Sequence, residues 1–254
     1  VIVAAALCPA APLLIPGVAP ALAAEQQPLV DGVRRALDDV VIAANDAAIG
    51  NLGRLLVVTP GRAARWIPNV RADPGRLPFG RSTPLSGPPD PDPVRSGDSP
   101  VDLAPGVWIA RSLLGRGPRL DALEVGPVHR RADGSFPDRS PTVVRHLITE
   151  DEPIGVVVLA DGAICHGDDA PAAEDARAES FDEALHDALT ADGGPLQLRH
   201  WCAANAELAG SLGATAPASL MVLAELLSGN TSTVRAEYFG HPYGVGYHVA
   251  CWRR

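Results

Sequence analysis

Chemistry-bearing residues gather in a few short segments that each follow an apolar run. Asp161-Gly162-Ala163-Ile164-Cys165-His166-Gly167-Asp168-Asp169 combines carboxylates, a thiol and an imidazole, whereas Cys8-Pro9-Ala10-Ala11-Pro12 and Thr59-Pro60-Gly61-Arg62 offer a thiol, a hydroxyl and a guanidinium. An imidazole titrates near neutrality, so His166 is the candidate general acid or base. Cys165 is expected to be an inert buried thiol, because only His166 stands near enough in sequence to lower its pKa. A structural reading of His166 is a loop cap bonded to Asp161 or Asp168. His241, in the extended backbone that precedes Pro242, and His248, on a strand, are expected to be structural. Arg62 and Arg65 have the fork geometry to hold an anion.

The elements that must position these groups follow from hydrophobic patterning. Val1 to Leu7, Leu55 to Thr59 and Ile154 to Leu159 are short, uninterrupted apolar runs, the pattern of strands covered on both faces. Leu22, Leu29, Val33, Leu37 and Val40 recur at helical spacing between the first two runs, which gives the opening of a parallel βαβ unit. Gly106 to Ala110 and Leu120 to Val125 read as strands or edges, and Pro141 to Thr149 as a helix with Pro141 in its first turn. Helices are expected over Glu179 to Thr190, Cys202 to Leu212 and Ala218 to Leu227. The final strands, Val234 to Phe239 and Gly246 to Trp252, are joined by His241-Pro242-Tyr243-Gly244. Asp168, Asp169, Glu174 and Asp175 form an acidic lead into a helix N-terminus. The reading is one α/β domain over 1–254, three-layer α/β/α around a mainly parallel or mixed sheet of at least five strands. A Pro/Gly-rich insertion at about 68–106 carries no strand or helix pattern.

In such sheets ligands bind beyond the carboxyl ends of the strands. Segments 8–12, 59–62, 161–168 and 241–247 are therefore expected to meet at one cavity. Its wall would hold Cys8, Ala10, Thr59, Gly61, Arg62, Asp161, Cys165, His241 and Tyr243 around His166.

Composition removes several function classes. The 254-residue chain has 21 basic and 30 acidic residues, and its net charge of −9 argues against a nucleic-acid partner. Every basic residue is Arg, so Walker-type phosphate loops and Schiff-base chemistry, which need Lys, are excluded. Gly240 to Gly246 lacks the dinucleotide-binding glycine spacing. The four cysteines lack zinc-finger spacing and read as free thiols. Val1 to Ala24 is uncharged and Ala21-Leu22-Ala23 resembles a signal-peptidase site, but Pro9, Pro12, Pro16 and Pro20 interrupt any apolar helix. The expectation is a cytoplasmic protein with no membrane partner, so Asn230-Thr231-Ser232 is not a working glycosylation site.

Several of these stretches together resemble a known superfamily. Cys8-Pro9-x-x-Pro12-Leu13-Leu14-Ile15-Pro16-Gly17-Val18, Leu55-Leu56-Val57-Val58-Thr59-Pro60, Asp161-Gly162 to His166, and Pro242-Tyr243-Gly244-Val245-Gly246-Tyr247 are similar, in order, to the LigB-like, class III extradiol ring-cleavage dioxygenases. The resemblance implies a three-layer α/β/α fold and, in active members, non-haem Fe(II) held by two His and a carboxylate, with a further His as acid/base. His166 matches that acid/base His. The two ligand His positions correspond to Ala10 and Gly61, neither of which can bind a metal, and Glu237 is a weak counterpart for the carboxylate. The resemblance thus implies a homologue without the family's iron site and with no resident cofactor. It would bind a small aromatic or anionic ligand, or a protein partner or second copy of itself through a surface such as 68–106. The alternative is an active ring-cleavage dioxygenase or other oxidoreductase, with Fe(II) if the family activity is kept or a relocated metal on Cys8, His166, His241 and Glu237.

Overall fold

Strands built from Ala, Val, Ile and Leu without polar interruption can sit only where both faces of a sheet are covered. The computed structural model describes residues 1–15, 18, 24–48, 53–70, 103–115, 118–127, 144, 152–191, 194–229 and 232–254. Within them run β1 (Ile2–Cys8), α1 (Gln27–Ala47), β2 (Arg54–Pro60), β3 (Arg65–Ile67), α2 (Pro105–Leu114), β4 (Arg119–Val125), β5 (Ile154–Leu159), α3 (Arg177–Thr190), α4 (Gly194–Ser211), α5 (Ala216–Leu226), β6 (Thr233–Gly240) and β7 (Tyr247–Arg253). The strands form one seven-stranded sheet in the order β3-β4-β2-β5-β1-β7-β6. Strands β4, β2, β5 and β1 are mutually parallel, β3 and β7 join antiparallel at either side, and β6 closes the far edge as a hairpin with β7. The three runs read as buried strands are adjacent, with β5 between β2 and β1.

Side-chain alternation divides the core into two layers. Ala5, Leu7, Leu56, Val58, Val156 and Val158 face α3, α4 and α5, packing with Phe181, Leu185, Trp201 and Leu223. Ala4, Ala6, Cys8, Leu55, Val57 and Val157 face α1 and α2, packing with Leu29, Val33, Val40, Val107 and Ile109. The result is three layers, α/β/α. Helix α1 keeps Leu29, Val33, Ala36, Leu37, Val40 and Ala44 buried at helical spacing, and Pro28 occupies its first turn, where a missing N–H costs nothing.

One element differs in type from its sequence reading. Gly106 to Ala110 lies in α2 rather than in a strand. Gly106 to Ala110 is a five-residue apolar run in which a buried strand and a buried helix look alike, and Pro105 at the first helical turn decides for the helix. Gly106 is there for a close approach, since a Cβ on it would lie 1.8 Å from the Thr59 Oγ1. Buried Arg111 then ties the end of α2 to its neighbours, donating to the carbonyls of Gly115, Pro118 and Val70. The predicted helix at Pro141 to Thr149, apart from Val144, the sequon at Asn230, and residues 71–102 of the 68–106 insertion lie outside the described residues, and α2 begins at the end of that insertion, at Pro105. No helix among the described residues is long and apolar enough to cross a membrane.

Candidate functional site

The carboxyl ends of β1, β2, β4 and β5 share one edge. There Ala160 N donates to Cys8 O, and Gly61 N to Val125 O. Past β5 the chain enters the segment that carries Asp161 and His166, and its backbone is held on two sides. Asp161 O accepts the N–H groups of Thr215 and Ala216, which open α5, and Asp161 N donates to Thr215 Oγ1 at 2.9 Å. On the other side Gly162 N donates to Gly246 O, Gly246 N to Ala163 O, and His166 N to Gly244 O. The turn between β6 and β7 meets this loop because Tyr243 and Gly244 both adopt positive φ, 58° and 71°.

His166 is held by a residue that sequence reading missed. Its Nε2 lies 2.6 Å from Oδ2 of Asp182 on α3, a carboxylate with no solvent exposure, so neither Asp161 nor Asp168 is its partner. The same carboxylate accepts the Ala163 N–H and lies 3.3 Å from His248 Nε2. Two glycines make room for it: a Cβ at Gly162 or Gly246 would fall 2.1 or 2.0 Å from a carboxylate oxygen of Asp182. On its outer side His166 stacks on His241, with ring centroids 4.5 Å apart and planes 14° from parallel. Glu179, one turn before Asp182, sets Oε2 at 3.5 Å from His166 Nδ1 and 3.2 Å from His241 Nε2. Behind the site a ring column runs from His186 through Phe239 to His248. Among the described residues, buried His248 Nδ1 has no hydrogen-bond partner.

His166, Glu179 and His241 line an open cavity of about 390 Å³ with Cys165, Gly167, Glu174 and Asp175. Cys165 is buried, and both burial and the nearby Asp175 and Asp182 push its thiol pKa up, the opposite of nucleophile activation. In the acidic lead, Asp175 is claimed by Arg177, whose hydrogen bonds hold its carboxyl down at about 2.

A second and larger cavity, about 750 Å³, opens on the other side of Thr215. The ends of β2 and β4 (Gly61, Arg62, Val125) face Ala206 and Gly210 of α4 and Ala218 of α5, and Arg62 and Glu207 are its charged members. The room does not lie where a side chain at 61 would stand, because a Cβ on Gly61 would come within 2.8 Å of the Glu124 Cβ. Ala10 reaches this wall only through a relay: its N–H donates to Asp161 Oδ1 at 2.9 Å, and Asp161 bonds Thr215. Burial pushes the Asp161 carboxyl up to about 6 against the opposing effect of that Ala10 hydrogen bond.

The four segments expected at one cavity are thus divided. Segments 8–12, 161–168 and 241–247 are joined by hydrogen bonds, while Gly61 and Arg62 face the larger space. Thr59 is buried beneath Gly106, its hydroxyl without a hydrogen-bond partner among the described residues. Cys8 points into the core beside Cys251, and burial raises its pKa far above the ordinary thiol range. Tyr243 donates from its hydroxyl to Glu25. Glu237 is on β6, bound to Arg35 and Arg235, so it cannot join a metal site with His166. Arg65 is paired with Glu124 and is not free for an anion.

No family model matches the sequence, and no curated protein matches it. Among solved structures, the uncharacterized protein JW3007 from Escherichia coli K12 is similar, with a TM-score of 0.42 and 13% identity over 99% of this chain and 100% of that one.

Glu179 and Asp182 did leave a signal in the sequence. They stand three residues apart, and Asp182 falls on the buried stripe formed by Ala178, Phe181, Leu185 and Leu189. A carboxylate on the apolar face of a helix needs a buried partner, and the neighbouring loop offers His166.

Proposed function

We propose that this chain is a small-molecule binding protein on a scaffold resembling the class III extradiol dioxygenases, without their iron site, and that its ligand is an aromatic carboxylate held in the 750 Å³ cavity. The observation that carries this reading is the cavity walled by Gly61, with Ala10 behind it through Asp161 and Thr215, at positions unable to bind iron. Ala10 and Gly61 have no donor side chain, and Gly61 has no space for one beside Glu124. A cavity of this size, whose described wall is mostly Ala, Val, Pro and Gly with the Arg62 guanidinium and the Glu207 carboxylate as its charged groups, suits a flat apolar ring whose one anionic group lies at Arg62 and away from Glu207. Arg62 would take the carboxylate through its fork, and the apolar wall would cover the ring.

The test is a thermal-shift screen of benzoates and dihydroxybenzoates against the wild type, Arg62→Ala and Ala218→Trp. A ligand at about 100 times its Kd stabilises the native state by about 2.7 kcal/mol, a readily measured rise in Tm. The rise is expected in the wild type, reduced in Arg62→Ala and abolished in Ala218→Trp, which fills the cavity. Catechol-dependent oxygen uptake by the protein supplied with Fe(II) would replace this reading with that of an active ring-cleaving oxidoreductase.

A further inference from the structure

Among the described residues, one group of three metal-capable side chains has donor atoms all within 4.8 Å of one another: His166, Glu179 and His241. We propose that they form a binding site for a divalent transition metal of the zinc type. The site is separate from the large cavity and distinct from the positions of Ala10 and Gly61.

The argument begins with the tautomer of His166. An aspartate carboxylate only accepts, so the 2.6 Å contact with Asp182 is made by an Nε2–H, and in the neutral ring Nδ1 then carries a lone pair. In that neutral form the lone pair faces Oε2 of Glu179 at 3.5 Å, acceptor against acceptor, an arrangement that a bound cation relieves. The same oxygen faces His241 Nε2 at 3.2 Å. A cation between the three satisfies all of them at once.

The spacing also fits. Bonds of about 2.0–2.1 Å in a tetrahedral site put ligand atoms about 3.3–3.4 Å apart. The two separations made by Glu179 bracket that value. Closing the third edge requires the His241 ring to rotate out of its parallel stack on His166. His241 can do so because its side chain is 43% exposed, whereas the His166 side chain, 7% exposed and bonded to Asp182, stays fixed.

Support around the ligands follows the same logic. A ligating His ordinarily donates its other N–H to a carboxylate, which fixes the ring and strengthens the donor, and Asp182 is placed to do this for His166. Glu174 sits on the same cavity wall and adds negative charge, whereas Asp175 beside it is paired with Arg177. Three protein ligands beside an open cavity leave the fourth position to water or a ligand, the pattern of a reactive rather than a purely structural zinc site.

The experiment is a zinc titration of chelator-treated full-length protein against a competing chromophoric chelator at neutral pH, repeated with Co(II) for the visible spectrum of a tetrahedral site. One ion per chain is expected. Glu179→Gln and His241→Ala, both at exposed positions that leave the fold intact by circular dichroism, should each weaken binding at least tenfold. Asp182→Asn, if it folds, should weaken it about 10–100-fold. A wild-type Kd weaker than about 0.1 mM, or an affinity unchanged in both Glu179→Gln and His241→Ala, overturns the site. So does His166 found by NMR to be protonated on both nitrogens in the presence of zinc. Aromatic-ligand binding has its own readout in the thermal-shift screen, so either proposal can fail alone.

Discussion

Replacing Asp161 by Asn tests the electrostatics of the strand edge directly. The substitution keeps an oxygen able to accept the Ala10 N–H at the position of Oδ1 while removing the titration. Burial raises the Asp161 pKa from 3.8 to about 6 in the folded protein. Below about pH 4 the carboxyl is protonated in both folded and unfolded chains and contributes no pH dependence. Between pH 4 and 6 the unfolded chain releases the proton and the native chain retains it, so native stability falls as pH rises through this window and levels off above it. The difference amounts to about 3 kcal/mol. Urea unfolding of wild type and Asp161→Asn at several pH values should therefore show the variant gaining up to about 3 kcal/mol on the wild type between pH 4 and 7. For a chain of this length that corresponds to about 6–12 °C in Tm. A stability difference that stays flat over this range would refute the claim that desolvation of the half-buried Asp161 disfavours its charged form.

Other expectations follow from the same structure. Asp182→Ala removes the buried partner of His166 and His248 and should cost about 3–5 kcal/mol in chemical denaturation, whereas a surface change such as Asp187→Ala should cost almost nothing. Gly106→Val forces a side chain onto Thr59 and should destabilise by about 1–3 kcal/mol, seen as a lower urea midpoint with unchanged slope. The four cysteines are free and buried, with Cys251 pushed up to about 11 by burial and by Asp39. A thiol reagent at pH 8 should modify none of them rapidly in the native protein and all four after denaturation; fast native labelling of Cys165 would contradict its raised pKa.

Legibility in the sequence tracked how local each determinant is. The strand at Ile154–Leu159 was readable to the residue because its run of Ile, Gly, Val and Leu is bounded on one side by Pro153 and on the other by Asp161-Gly162. The helix at Pro105–Leu114 was not, since a short apolar run carries no periodicity and its placement rests on a tertiary contact, Gly106 on Thr59. The site divides the same way. His166 and His241 announce themselves by residue type and by standing just after strands. Glu179 and Asp182 join them only because Gly162 and Gly246, which belong to different loops, leave a gap the size of a carboxylate against α3. That gap depends on β7 lying beside β1 and on α3 crossing the same face, neither of which any local pattern encodes. The physical rule that would have found the pair is satisfaction: a carboxylate placed on the buried stripe of a helix must meet a donor, and a histidine whose loop abuts that helix is the donor at hand. The same rule sets Glu237 apart from His166: its side chain, only 6% exposed on an otherwise open strand, is satisfied by two guanidinium groups.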